Sequence, residues 1–207
     1  DMEYERFDHS AVLLKNGQVL ISGGDKMATG GGWYKRDDST AIKPSALYDP
    51  ASGNWTTTGS TVNEHGTGHT ATLLDNGQVL ITGGLYEALA ETPRVPSSFT
   101  ELFDPSTGTW KNTGEMNEAR YRHKAVLLEN GNVLVIGGTS WEIYETSSGT
   151  WSETGQLPND HGIQFTATEL SDGRILVAGG GHSETVEDTE IAPPSPISNA
   201  DIYDQSS

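Results

Sequence analysis

One sixteen-residue pattern occurs four times along the chain and constrains its fold more than any other feature. Each copy holds two short apolar runs on either side of Asn-Gly or Asp-Gly and ends in two glycines. Such a dipeptide between apolar runs is the strongest short signal for a β-hairpin with a two-residue type I′ turn, so each copy predicts a hairpin. The copies span His9–Gly24, His69–Gly84, His123–Gly138 and Phe165–Gly180.

The apolar runs carry hydrophobic residues on both alternating faces, as in Leu73–Leu74 followed by Val79–Ile81. A strand of this kind is covered on both sides. The paired glycines suit a place where two backbones approach closely. We therefore predict that both faces of each hairpin are covered by other parts of the protein.

A second pattern follows each hairpin at variable distance and predicts two more strands. It places an aromatic residue in one strand, then a turn rich in Asp-Pro or Ser/Thr-Gly, then a tryptophan at the start of the next strand. Each unit is therefore expected to be a four-stranded antiparallel sheet, and the fourth copy, Asp201–Ser207, stops before its outer strand. The complete copies are Ala46–Gly59, Glu101–Gly114 and Glu142–Gly155.

The repeated units resemble the kelch repeat in the strings "ITGG", "LFDP" and "GTW", and a unit of roughly 50 residues is the kelch period. The resemblance covers essentially the whole chain and is to the bacterial secreted or surface type, distantly similar to the propeller of galactose oxidase-like proteins. It implies an all-β fold, a kelch-type β-propeller of four-stranded antiparallel blades. The expected blades are approximately 9–59, 69–114, 123–155 and 165–207, the last lacking its outer strand.

Kelch propellers usually close with more blades than the four that this sequence offers. Three explanations stay open. Residues 1–207 form part of one propeller domain in a longer polypeptide, they form a small four-bladed ring by themselves, or two chains assemble into a larger ring. An open stack would leave strand edges exposed, which proteins rarely tolerate.

Charge and composition exclude several classes of function. With 12 Lys and Arg against 29 Asp and Glu, the formal net charge is −17, which argues against nucleic acid or an anionic membrane as the main partner. The sequence has no cysteine, so disulfides, thiolate metal sites and the cysteine-linked copper chemistry of galactose oxidase relatives are excluded for this stretch. No apolar run approaches the ~20 residues of a membrane span, and the first residues lack signal-peptide order.

The loops between the two patterns are long and unlike one another in three copies, whereas the turns within the patterns are short and repeated. Binding usually occurs on such variable loops over a rigid scaffold. Aromatic residues beside glycines suit stacking on a sugar or anchoring a protein; the alternative is that they cover the blade below. The candidate ligand-binding residues are Trp33, Tyr34, Arg36, Asp37 and Asp38 in the first loop and Arg94 in the second.

The long loop of the fourth copy is acidic and raises the question of a metal. A calcium site is conceivable, but the spacing of the acids matches no known calcium loop, and a solvated acidic loop is favoured. We expect neither a cofactor nor a metal ion. The acids are Glu184, Glu187, Asp188 and Glu190.

The connections that lead into each hairpin are the candidate catalytic segments. His65 and His161 are candidate general bases or sugar-binding groups, while Arg120 and Arg122, beside Tyr121, are candidate clamps for a carboxylate. The alternative is structural, with arginine capping a loop and His-Gly forming a turn. His9, His69 and His123, which begin three of the four repeats, are expected to build the blades, because one position per blade rarely converges on a single ion.

We expect a non-catalytic extracellular binding or scaffold propeller that recognises a glycan or a protein through its long-loop face, located outside the cell, at the cell surface or in the periplasm. Two alternatives stay open, because propellers host enzymes as well as binders. One is a carbohydrate-active enzyme, a polysaccharide lyase or sugar isomerase, with its site at the channel mouth. The other is a subunit of a surface assembly.

Overall fold

The computed structural model describes residues 2–26, 40–87, 94–182 and 195–204, and the regular secondary structure of these ranges consists of β-strands. Within these ranges, no helix is long and apolar enough to cross a membrane. In chain order the strands are β1 (Ser10–Leu13), β2 (Val19–Ser22), β3 (Asp25–Lys26), β4 (Thr40–Ala41), β5 (Pro44–Asp49), β6 (Asn54–Ser60), β7 (Thr70–Leu73), β8 (Val79–Thr82), β9 (Leu85–Tyr86), β10 (Val95–Pro96), β11 (Thr100–Asp104), β12 (Thr109–Asn112), β13 (Lys124–Leu127), β14 (Val133–Gly137), β15 (Ser140–Glu145), β16 (Thr150–Gln156), β17 (Thr166–Glu169), β18 (Ile175–Ala178), β19 (Gly181–His182), β20 (Ser195–Pro196) and β21 (Ala200–Tyr203).

The strands form four larger sheets, which we number by their order in the chain. Sheet 1 pairs β1-β2-β5-β6, sheet 2 pairs β7-β8-β11-β12, sheet 3 pairs β13-β14-β15-β16 and sheet 4 pairs β17-β18-β21. All neighbouring strands in these sheets are antiparallel, which confirms the predicted all-β, antiparallel architecture. Three two-stranded ribbons, β3-β4, β9-β10 and β19-β20, lie in the long loops.

The hairpin turns were predicted in the right places, but the predicted type I′ geometry is wrong. In sheet 1 the amide of Gly17 donates to the carbonyl of Leu14 and the amide of Leu14 donates to the carbonyl of Gln18, which closes a three-residue loop. Among the described residues the left-handed φ in this turn belongs to Gly17 alone, at +86°, whereas type I′ requires positive φ at two residues. The Asn16 side chain accepts the amide of Gln18 and so stabilises the observed loop.

Each sheet packs one face on the sheet that follows it in the chain. We call the face directed at the next sheet the forward face and the opposite one the rear face. The forward face of sheet 1 contacts the rear face of sheet 2, and the same arrangement joins sheets 2 and 3 and sheets 3 and 4. The innermost strands β1, β7, β13 and β17 contact one another in that order. The three cores include Leu20 with Phe103, Leu80 with Tyr144, and Leu134 with Tyr203.

The double glycines lie where neighbouring sheets meet, as the sequence predicts. A Cβ atom on Gly23 would come within 2.5 Å of the carbonyl oxygen of His65 and 2.6 Å of the His69 ring. A Cβ on Gly83 would meet the carbonyl oxygen of Arg120 and the His123 ring in the same way. Both glycines also have left-handed φ, so a side chain here is opposed by sterics and by backbone conformation.

Candidate functional site

Three of the connecting segments are fastened to a buried carboxylate on the third strand of the sheet that follows. We call this arrangement a latch. The carboxylates of Glu101 and Glu142 are fully buried, and Asp201 is 7% exposed. Each accepts backbone amides of its connection, at Asn63 for Glu101, Asn117 for Glu142 and Asn159 for Asp201. The latches therefore hold the connections that sequence analysis identified as candidate catalytic segments.

Arg120 belongs to the latch of sheet 3. Its Nε donates to Glu142 at 2.9 Å, and its terminal nitrogens donate to Glu118 and to the carbonyl oxygens of Gly137 and Ser140. The side chain is 5% exposed. Its hydrogen-bonding groups are directed at the protein itself, which leaves this guanidinium little capacity to bind a ligand.

His65 and His161 occupy the corresponding latches of sheets 2 and 4, and both side chains are fully buried. In His65, Nδ1 faces the carbonyl oxygen of Gly83 at 2.8 Å and Nε2 faces Glu101 at 3.3 Å. His161 repeats this between the carbonyl of Gly179 and Asp201, both at 3.0 Å. Both nitrogens of each ring therefore lie within hydrogen-bonding distance of oxygens of the protein itself, and neither buried ring can reach a substrate as a general base must.

Two of the latch carboxylates, Glu101 and Asp201, have a lowered pKa and are held in their ionised form. For Glu101, burial raises the pKa, but the hydrogen bonds from His65 and from the amides of Asn63 and Val62 outweigh it and leave the pKa below its usual value. Burial also raises the pKa of Asp201, and hydrogen bonds from Asn159 and His161 lower it below the usual value. Ionised carboxylates with several donors are structural elements of these connections.

Arg94, a candidate ligand-binding residue, connects sheets 1 and 2. Its guanidinium donates to Asp25 at 2.7 Å and to the carbonyl of Leu85 at 2.8 Å. Asp25 is fully buried and also accepts the amide and hydroxyl of Thr67. Asp25 follows the double glycine of sheet 1, so this ion pair fastens the beginning of one long loop to the neighbouring sheet.

The other loop candidates, Trp33, Tyr34, Arg36, Asp37 and Asp38, lie outside the described residues, as do the acids of the fourth loop. Their roles stay predictions. In the part of the chain that the structure describes, no group of three or more His, Cys, Asp or Glu side chains is arranged to hold a metal ion.

A cavity of about 360 Å³ lies between the innermost strands. It is lined by Asp8, His9, Ser10, Thr67, Gly68, His69, Thr70, Arg122, His123, Lys124 and Gln164. Four of these residues occupy the same position, directly before the first residue of each repeat, and all four have left-handed φ. They are Asp8 at +51°, Gly68 at +82°, Arg122 at +55° and Gln164 at +64°. We call these four residues the rim.

Three rim residues are not glycine, and a left-handed φ costs a non-glycine residue of order 1–3 kcal/mol. Such strain persists only where the surroundings impose it, and it often accompanies ligand contacts. Among the described residues the guanidinium of Arg122 has no ion-pair partner; it lies 6.0 Å from the centre of the Tyr121 ring and is half-buried. Arg122 is therefore the candidate clamp that faces the cavity, whereas Arg120 belongs to a latch.

The buried histidines of the cavity wall are poor bases. Burial is the main cause that lowers the pKa of His69 to about 4 and that of His123 to about 3. His69 donates from Nδ1 to the carbonyl of Gly66, and Nε2 of His123 lies 3.0 Å from the Thr70 hydroxyl and 2.9 Å from that of Thr82. Both rings are neutral near pH 7 and link one sheet to the next.

The sequence analysis missed Asp8, Gln164 and Lys124 as cavity residues. A signal for the first two was present, because aligning the four repeats places Gly68 in one column with Asp8, Arg122 and Gln164. A glycine in one copy marks a left-handed position that the other copies must also adopt. Lys124 carried no such signal, since it alternates with serine and threonine in the other repeats.

Comparison with known proteins supports the fold and leaves the activity open. No protein-family model matches the chain. A segment of 73 residues, 35% of the chain, is 34% identical to tRNA wybutosine-synthesizing protein 4 of Saccharomyces cerevisiae, of which it covers 10%. The structure of YjhT superposes with a TM-score of 0.66 at 15% identity over 86% of this chain and 60% of the other. The chain therefore spans less than two thirds of either protein, and the structural likeness shows a β-propeller-type fold.

Proposed function

We propose that this protein is a non-catalytic, extracellular binding protein built as a kelch-type propeller, and that it recognises a glycan at the rim of the central cavity. The observation that carries the proposal is the contrast between two arginines of one connection. The guanidinium of Arg120 makes its hydrogen bonds within its latch. Arg122, in contrast, lies at the cavity without an ion-pair partner among the described residues.

The non-catalytic part of the proposal rests on the histidines. Acid–base chemistry on a sugar needs a group that can accept a proton and reach the substrate. His65 and His161 are fully buried, and both nitrogens of each ring face oxygens of the protein itself. The low pKa of His69 and of His123 makes these two residues weak bases as well. Tyr121 and Arg122 then remain from the predicted catalytic set, and they serve binding.

A glycan is favoured as ligand by the composition of the cavity. Its lining includes the hydroxyl of Ser10 and the side chains of Asp8, Arg122 and Gln164. Its volume of about 360 Å³ is in the range of small-molecule sites. Hydroxyl, amide and guanidinium groups complement the hydroxyl and carboxylate groups of sugars. The predicted stacking residues Trp33 and Tyr34 belong to a long loop, lie outside the described residues and stay candidates for contact with the same glycan.

The test is a glycan array followed by titration calorimetry with the best ligand. Replacing Arg122 by alanine is expected to weaken binding at least tenfold, since a hydrogen bond to a charged group is worth roughly 1.5–3 kcal/mol. The matched control is Arg174→Ala, which removes an arginine that is 46% exposed in the sheet 4 turn and paired with Asp172. Equal affinity of the Arg122 variant and the wild type would contradict the rim site. Conversion of the bound glycan during the titration would contradict the non-catalytic role.

A further inference from the structure

Among the described residues, two apolar sheet faces lack the cover that equivalent faces have elsewhere in the same molecule. Forward faces of sheets 1, 2 and 3 pack on rear faces of sheets 2, 3 and 4. The rear face of sheet 1 and the forward face of sheet 4 remain. In the described parts of the chain, no hydrophobic core cluster and no hydrogen bond joins sheet 1 to sheet 4. The innermost strands of these two sheets, β1 and β17, also lack the close contact that joins the other innermost strands there.

The rear face of sheet 1 has the composition of an interior surface. Cross-strand pairing places Leu13, Val19, Tyr48 and Trp55 side by side on this face. Their counterparts in sheet 2 are Leu73, Val79, Phe103 and Trp110, of which Val79 and Phe103 are fully buried against sheet 1. Leu13 is 64% exposed, and Val19, Tyr48 and Trp55 are half-buried.

The forward face of sheet 4 is the complementary surface. Leu176 and Ile202 are paired across β18 and β21 and point away from sheet 3. Leu80 and Leu102 hold these positions in sheet 2, where they are 1% and 8% exposed beneath sheet 3. Ile202 is 44% exposed and Leu176 is half-buried.

A contact between a histidine ring and a glycine, which joins neighbouring sheets, also lacks its partner at both of these faces. His69 packs its ring on Gly23 of sheet 1, and His123 packs its ring on Gly83 of sheet 2. The equivalent histidine of sheet 1 is His9, which is exposed. The equivalent glycine of sheet 4 is Gly179, where a Cβ atom would meet nothing within 4 Å. Gly179 and His9 therefore lie on the same two sheets as the uncovered faces.

We propose that these faces form a head-to-tail interface in which sheet 4 of one copy of this chain packs on sheet 1 of a second copy. The contact repeats the forward-on-rear packing that the chain already contains three times. In it, Ile202 and Leu176 cover Leu13 and Tyr48, and His9 packs on Gly179. Because the two surfaces differ, the interface is heterologous, and each copy offers one of each kind.

The test is sedimentation velocity on the 207-residue chain over a range of concentrations. The wild type is expected to form dimers or larger rings, and Leu13→Lys or Ile202→Lys is expected to weaken association at least tenfold, because a lysine would be buried without a partner. Both side chains are exposed, so circular dichroism should show unchanged folding. The control is Val62→Lys, which is 50% exposed and lies in a connection outside both faces.

A mixing experiment distinguishes this interface from non-specific association through exposed apolar side chains. Each lysine variant alone has one defective face in every contact that it could make. An equimolar mixture restores one native contact, between sheet 4 of the Leu13 variant and sheet 1 of the Ile202 variant, so dimers are expected in the mixture alone. A wild type that stays monomeric at all concentrations, or a mixture that associates no better than its components, would overturn the proposal.

Discussion

The connection that enters sheet 3 and the connection that enters sheet 1 carry an arginine at the same position, Arg120 and Arg6, in different surroundings. Both donate to a carbonyl of the double-glycine segment, Arg120 to Gly137 at 3.2 Å and Arg6 to Gly23 at 3.1 Å. Arg120 then pairs through Nε with Glu142, whereas sheet 1 has Ala46 at the position of that acid. Within the described residues, the Nε of Arg6 is buried without a hydrogen-bond partner.

This difference shows that the latch is a separable part of the repeat. Sheet 1 keeps its strands, its register and its core without a buried acid on the third strand. In sheets 2, 3 and 4 the acid is present, and the donor that meets it alternates between histidine and arginine. A charged residue in a connection is therefore explained first by the acid on the adjacent strand, and it points to function only where that acid is already satisfied.

The largest expected effect comes from removing the latch of sheet 3. Glu142→Ala leaves the Nε of Arg120 and the amide of Asn117 without their acceptor, and breaking a buried pair on one side costs about 3–5 kcal/mol. Urea denaturation should show this decrease in the free energy of unfolding. The control is Glu118→Ala, because Glu118 contacts the same arginine but is 53% exposed, so its loss should cost at most about 1 kcal/mol. Similar losses for both variants would mean that the buried carboxylate of Glu142 stabilises the fold no more than the exposed carboxylate of Glu118 does.

A smaller effect, in the pH dependence of stability, comes from the buried ring of His123 in sheet 3. Burial lowers the pKa of His123 from 6.5 to about 3, so the unfolded chain binds a proton that the folded protein does not. The free energy of unfolding therefore decreases as the pH falls from about 6.5 towards 3, by about 2 kcal/mol between pH 7 and 5 for this group.

His123→Gln should make the decrease between pH 7 and 5 smaller by that amount, measured by urea denaturation at each pH. The same variant at pH 8, where histidine is neutral in both states, gives the cost of the substitution itself. His69 contributes in the same direction, since its pKa is about 4, and so the variant keeps part of the wild-type slope. Parallel curves for variant and wild type would mean that the buried ring is not the source of the slope.

The strands and their pairing could be predicted from the sequence because the same patterns recur in successive repeats. Apolar runs around Asn-Gly gave the inner hairpins, and the aromatic and tryptophan positions gave the outer ones. The turn type was misread because Asn-Gly fits two geometries. The three-residue loop prevails here, with Gly17 alone left-handed and Asn16 accepting the amide of Gln18.

The latches and the rim were harder to predict for physical reasons. His65 and Glu101 are 36 positions apart in the chain, and Arg120 and Glu142 are 22 apart, so their pairing depends on the packing of a connection over a strand. Both residues of each pair were visible as charged positions in the repeat, but single residues do not reveal their partners. An arginine gives no sign of a left-handed backbone, so the conformation of Arg122 was indicated only by Gly68 at the same position of another repeat.

The smallest expected effect comes from building the missing latch into sheet 1. Ala46→Glu places a carboxylate at the position of Glu142, on the strand beneath Arg6, whose Nε lacks an acceptor among the described residues. Burial lowers the pKa of Arg6, and a new carboxylate would offset that cost of burying the charge. We expect a gain of at most about 1 kcal/mol in the free energy of unfolding, since the side chain must also be ordered. The control Ala46→Gln adds nearly the same volume without the charge and should give a smaller gain. If the glutamate variant is no more stable than the glutamine variant, the connection of sheet 1 holds its arginine in a geometry that an acid on the third strand cannot reach. The connections of sheets 1 and 3 then differ by more than one residue.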